Sequence, residues 1–153
     1  MKNYLLVAFL YFWTLASFAQ SFPNFTGSYI SQHTSYVNNE DASENYQEDT
    51  ENRVFVLLKE DGTGFAALVD PRTPDVSLLY SIERLDKEYT LMDVHYYIFD
   101  AVYLTRDWDV KILFYIKEEK LNLMLDYDFA TQVFHDLEYW DNLDYWKEIL
   151  FKE

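Results

Sequence analysis

The sequence predicts an all-β protein, an antiparallel up-and-down β-barrel of about eight strands followed by a short C-terminal helix. Three observations point there. Aromatic residues make up 20% of the chain, with Tyr 14 and Phe 12, and together with Val and Ile these are the residues that fit a pleated, half-buried surface. Several segments alternate apolar and polar residues, the period of a strand with one face buried. Short turn signals join those segments, and a meander of strands covers its edges best by closing on itself.

The chain opens with MKNYLLVAFLYFWTLASFAQ. One cation, Lys2, precedes an uncharged apolar run from Tyr4 to about Leu15, and Ser17 and Ala19 provide small residues at the spacing of a cleavage site. This is the pattern of a secretory signal peptide. The apolar run is shorter than the ~20 residues that cross a bilayer as a helix. Residues 1–19 are therefore expected to be removed, leaving 20–153 as a single barrel domain that is periplasmic or secreted and not inserted in a membrane. With no Cys in the chain, thiol catalysis and disulfides are excluded.

A first strand is expected from Gly27 to Val37. Asn38 to Asn52 carries six acids and almost nothing apolar, the composition of a long exposed loop. In RVFVLLKEDGTGFAALV, two apolar runs, Val54 to Leu58 and Phe65 to Val69, flank an Asp-Gly turn, which is a hairpin signal. Gly62 and Gly64 are expected to supply positive φ for the turn and a following bulge. No phosphate-cradling GxGxxG or GxxxxGK[ST] is present. After a turn on Pro71 and Pro74, Val76, Leu78, Tyr80 and Ile82 alternate with Ser77, Ser81 and Glu83, and RLDKE is read as the next turn. Glu88 to Leu104 fits one long bent strand or two strands joined near Asp93–His95. Leu91, Val94, His95, Ile98 and Val102 also recur at helical spacing, but the Tyr and Val content favours strand. Val110, Ile112, Phe114 and Ile116 then face Leu121, Leu123 and Leu125 across a KEEK turn. Thr131 to Trp140 is the last strand, and a short helix follows with Leu143, Trp146, Ile149 and Leu150 on one side. Tyr139, Trp140, Tyr145 and Trp146 are expected to close one end of the barrel.

The stretches FTGSYISQ, FVLLKEDGTGFAAL and FYIKEEKLNLML together resemble the lipocalin-like (calycin-type) domains of exported bacterial proteins. The resemblance covers most of residues 20–153 and implies an up-and-down barrel. Two positions depart from the family pattern. Tyr29 stands where the opening G-x-W has Trp, and Thr131 to Trp140 lacks the Arg that packs on it. A barrel is thus better supported than the family's ligand cavity.

The formal net charge is −15, and removal of Lys2 with the leader makes it −16. Such a chain is repelled by nucleic acid and anionic membranes, so a charge-selected partner is basic. No cofactor is implied. His33, His95 and His135 share no metal-ligand spacing, and no GxSxG places Ser77 or Ser81 as a nucleophile beside His95. The 27 acids are too numerous for any pair to stand out as a glycosidase dyad. The expectation is therefore a non-enzyme, with two candidate roles. In the first, the barrel interior binds a small apolar or aromatic molecule through Tyr29, Phe55, Phe65, Tyr80, Phe114 and Leu123. In the second, an acidic, inhibitor-like or immunity-type protein binds a basic protein partner through Glu40, Asp41, Glu44, Glu48, Asp49 and Glu51.

Overall fold

The structure is a computed structural model and describes residues 22–73 and 77–151, apart from the side chain of Asp49. The leader expected over 1–19, the turn residue Pro74 and the face residue Val76 lie outside the described residues. Eight antiparallel strands close into a barrel in chain order, with β8 pairing back onto β1. They are β1 (Gly27–Asn38), β2 (Glu44–Leu58), β3 (Gly64–Val69), β4 (Ser77–Leu91), β5 (Val94–Tyr103), β6 (Trp108–Lys117), β7 (Lys120–Asp126) and β8 (Ala130–Tyr139). Among the described residues one helix, α1 (Leu143–Leu150), follows.

Alternation sets the interior. Val54, Val56, Leu58, Ala66, Leu68, Tyr80, Ile82, Phe99, Ile112, Phe114, Leu123 and Leu125 belong to one buried cluster that packs the centre of the barrel. Phe114 is fully buried, with Phe25 stacked on it at 4.6 Å and Phe99 edge-on at 5.8 Å. The chain before β1 plugs this end. Phe22 meets Phe99 edge-on at 5.7 Å, and Thr26 exchanges hydrogen bonds with the backbone of Leu58. Tyr29, the residue that departs from G-x-W, is itself part of the closure, because its hydroxyl donates to the Phe25 carbonyl at 3.0 Å.

Several expectations are corrected by the strand pairing. Asn38–Asn52 is not a long loop. Only 39–43 turns the chain, and from Glu44 the acidic segment is strand, paired with β1 from Glu44↔Val37 to Asn52↔Ser31 across a bulge. RLDKE is not a turn either, since β4 runs through it to Leu91 with irregularities at Ile82/Arg84 and Leu85/Lys87. These shifts erase the alternation that marks a strand. Glu88 to Leu104 resolves into two strands joined at Met92 and Asp93, both at positive φ (49° and 64°). Glu118 and Glu119 in KEEK also carry positive φ, 51° and 65°, so both hairpins have the twist of a two-residue type I′ turn.

In the DGTG hairpin only Gly62 has positive φ, 81°. Gly64 is required for a different reason, because a Cβ there would lie 1.9 Å from the Leu57 carbonyl oxygen. The β2–β3 register runs without a shift from Arg53↔Val69 to Leu58↔Gly64, so the expected bulge is absent from this pair. Replacing Met92-Asp93 with Asn-Gly should stabilise the fold by about 1 kcal/mol, since left-handed backbone is costly for a residue with an unbranched apolar side chain. Chemical denaturation reads the gain. No gain would mean that these two residues have compensating contacts.

The helix does not close a barrel end. It lies on the outer wall, where Trp146 joins Ala67 and Val69 in a second buried cluster with Phe55, Leu79, Trp140, Tyr145, Ile149 and Leu150 packed around it. Asn142 caps α1 by accepting from the Tyr145 backbone N–H at 3.1 Å. Leu143 was expected on the buried side but is 55% exposed. The Arg53 guanidinium sits 4.9 Å from the Trp140 ring and 4.6 Å from the Tyr145 ring, tying the β8–α1 corner to β2.

Candidate functional site

At the end of the barrel away from Phe25, three connections come together: the β1–β2 turn, the β5–β6 turn and the β7–β8 turn. Asn39 fastens the first to the last. Its backbone N–H donates to the Phe129 carbonyl at 3.0 Å, and its side-chain amide donates to the Tyr127 carbonyl at 3.0 Å. Between these turns and the outer faces of β5 to β7 runs a groove of about 550 Å³. Its walls carry five carboxylates, Glu83, Asp100, Asp109, Asp126 and Asp128, against one ammonium, Lys111.

Asp100 is already committed. Lys111 and Arg84 bond to it, the latter at 2.7 Å, and these contacts, Lys111 first, hold its carboxyl below the usual carboxylate range. Lys111 also reaches Asp86 at 3.0 Å. Asp126 accepts from the Thr131 hydroxyl at 2.9 Å. Glu83, Asp109 and Asp128 make no ion pair among the described residues, so the groove keeps a negative excess.

Beside the acids stands a pair of exposed aromatics. Trp108 precedes Asp109 and Phe129 follows Asp128. Their rings meet edge-on at 5.3 Å, and they are 42% and 44% exposed. The pair is anchored inward. Phe129 stacks on Tyr127 at 5.4 Å, Trp108 meets Tyr103 at 6.1 Å, and Tyr103 meets Tyr80 at 5.3 Å. The Tyr80 and Tyr127 hydroxyls are hydrogen-bonded to each other, which closes the circuit. The exposed rings are thereby held by half-buried Tyr103 and Tyr127, with buried Tyr80 behind them, so little side-chain freedom is left to lose on binding.

The expected residues are distributed differently. Tyr29, Tyr80, Phe114 and Leu123 do face the interior. Phe55 and Phe65 do not, because they lie on the outer wall, 5.6 Å apart, and Phe55 packs against Trp146 at 5.4 Å. Of the six acids of the β1–β2 region, the five whose side chains are described do not converge. Glu40 and Asp41 sit in the turn at the groove, and Glu44 and Glu48 are exposed further along β2, with Glu48 opposite His33. Glu51 is an exposed residue of the bulge with φ 45°, and the side chain of Asp49 is outside the described residues.

The histidines divide in two. His33 and His135 stand opposite each other across β1 and β8, with the Tyr46 ring about 6 Å from both. His135 bonds Ser35 at 2.9 Å, and burial lowers its pKa. His95 lies elsewhere, bonded to Thr90 at 2.9 Å and 3.5 Å from Glu88. Thr90 is near the far end of β4 from Ser77. Among the described residues no group of three or more His, Asp or Glu is arranged to hold a metal ion.

Trp108, Phe129, Asp109, Asp126 and Asp128 went unnoticed in the sequence. The two aromatic–acid pairs, WD at 108–109 and DF at 128–129, were the available signal, and only the meander brings them together. No protein-family model matches this chain, and no curated protein or solved structure matches it.

Proposed function

We propose that the protein is a non-enzymatic binding barrel of exported, lipocalin-like type that captures a basic protein partner at its acidic groove. The observation that carries this reading is the groove itself, with five carboxylates around one lysine and the braced Trp108–Phe129 pair at its edge. Aromatic anchors surrounded by desolvated polar groups are the usual make-up of an interface hot spot. The surrounding negative field steers a cationic surface towards them. The packed centre of the barrel also favours a surface role over capture of an apolar molecule there, because Tyr80, Phe99, Phe114, Ile112 and Leu123 already occupy it.

The test uses a photo-crosslinking amino acid at position 108 in the exported protein within its own host, with the same group at exposed Leu143 as control. A basic protein captured from 108 and not from 143 is the expected result. With that partner purified, Asp109→Asn/Asp126→Asn/Asp128→Asn should weaken binding at least tenfold and flatten its salt dependence. Glu44→Gln/Glu48→Gln/Glu51→Gln should change it less than threefold. Equal losses from the two sets would reduce the effect to bulk charge and overturn the assignment to the groove.

A further inference from the structure

A second, smaller cavity opens inside the same end of the barrel, separate from the outer groove. Its volume is about 190 Å³, and it is lined by Thr34, Gln47, Asn52 and Gln132 with Leu68, Leu78 and Phe134 as apolar floor. The loop after β3 forms its lip. Asp70 accepts from the Arg72 backbone N–H at 2.9 Å and from its guanidinium at 2.6 Å, which lowers the Asp70 pKa and makes the pair neutral overall.

Two of the lining side chains are unusual. Asn52 is 7% exposed and Thr34 is 5% exposed. Neither side chain has a hydrogen-bond partner among the described residues, whereas Thr50 and Ser31 on the same two strands bond backbone carbonyls. Their polar atoms are not sealed from solvent; they open on the cavity, where a ligand or water can satisfy them.

We infer that this cavity binds a neutral polyhydroxylated molecule of the sugar or polyol class, at most about the size of a single sugar ring. The size follows from the volume, which equals about six water molecules at ~30 Å³ each. The class follows from the donor set. Amides and hydroxyls donate and accept at once, as the hydroxyls of a polyol do. The apolar floor, with the Phe134 ring, suits the C–H face of such a molecule. The self-neutralised Asp70–Arg72 pair removes any preference for net charge. This inference does not depend on the protein partner proposed for the groove.

The experiment is a titration of the full-length mature protein with D-glucose, D-galactose and glycerol, followed by amide NMR with the side-chain NH₂ signals of Asn52, Gln47 and Gln132 assigned. At least one probe is expected to bind in the millimolar range or tighter and to shift those three signals, leaving the groove residues unmoved. Thr34→Val keeps the side-chain shape, and it should weaken that binding at least tenfold. Asn52→Leu is the second variant, with the same loss of binding expected. Absence of shifts with all three probes at saturating concentration would overturn the ligand class. Unchanged binding in both variants would overturn the site.

Discussion

Replacing Trp146 with alanine is expected to cost about 3–5 kcal/mol of stability, the range for emptying a buried aromatic site. Trp146 is 1% exposed, and its ring contacts Phe55 at 5.4 Å and Tyr145 at 5.3 Å. Its indole N–H donates to the Ser28 hydroxyl at 2.6 Å, and Ser28 is itself 8% exposed. The substitution therefore uncovers Ala67 and Val69, strands a buried hydroxyl and detaches α1 from β3. An eight-residue helix is too short to persist alone in water, so it unfolds once released. Denaturant titration reads the loss, and proteolysis after Trp140 should become rapid under native conditions. Trp146→Phe should fall between the two, since it keeps most of the packing and loses the hydrogen bond. Leu143→Ala, at an exposed position of the same helix, should change stability by less than about 0.5 kcal/mol. A cost below about 1 kcal/mol for Trp146→Ala would mean that α1 rests on the barrel without supporting it.

The same helix explains what the sequence concealed about the barrel wall. Val54–Leu58 and Phe65–Val69 are apolar without alternation, so nothing in them says which residues point inward. The structure shows why. β2 and β3 are the strands covered on both faces, by the core within and by Phe55, Ala67, Val69 and Trp146 without. An amphipathic tail in need of an apolar wall, together with two doubly apolar strands, was the readable clue. Where apolar residues do alternate, as in Val110–Ile112–Phe114 and Leu121–Leu123–Leu125, alternation identified the interior correctly, although the outer face of β6 also buries Leu113 and Tyr115.

Elsewhere the obstacle was backbone geometry. Met92-Asp93 turns the chain without glycine, and the bulges of β4 break its period just where charge is dense. The segment from Glu44 to Asn52 has the composition of a mobile loop yet is held as strand by β1, because ladder hydrogen bonds do not depend on side-chain hydropathy. The groove was hidden for a third reason. Asp109 and Asp128 lie on different hairpins, so their proximity is a property of topology and not of any local pattern.

Raising the pH above about 10 is expected to unfold the barrel cooperatively. Burial raises the pKa of Tyr80, with Tyr127 and Tyr103 adding to it, and burial likewise raises Tyr29, Tyr97, Tyr115 and Tyr127. Unfolded phenols release their protons near pH 10, whereas these five hold theirs to higher pH. Above pH ~10 the folded state thus binds more protons than the unfolded state, and stability falls as pH rises; below it the contribution is fully present. Each such phenol lowers stability by about 1.4 kcal/mol per pH unit, and five together by up to about 7. Against a total of about 5–15 kcal/mol, one to a few pH units are enough. Loss of the β-sheet circular dichroism should coincide with the rise in phenolate absorbance. The Tyr80–Tyr127 contact provides the control. Tyr80→Phe alone leaves the Tyr127 hydroxyl unpartnered and should cost about 1–3 kcal/mol at neutral pH. Tyr80→Phe/Tyr127→Phe removes both groups and should restore most of that loss, while cutting the alkaline slope by about 2.8 kcal/mol per pH unit. An unchanged slope in the double variant would show that ionisation outside this pair drives alkaline unfolding.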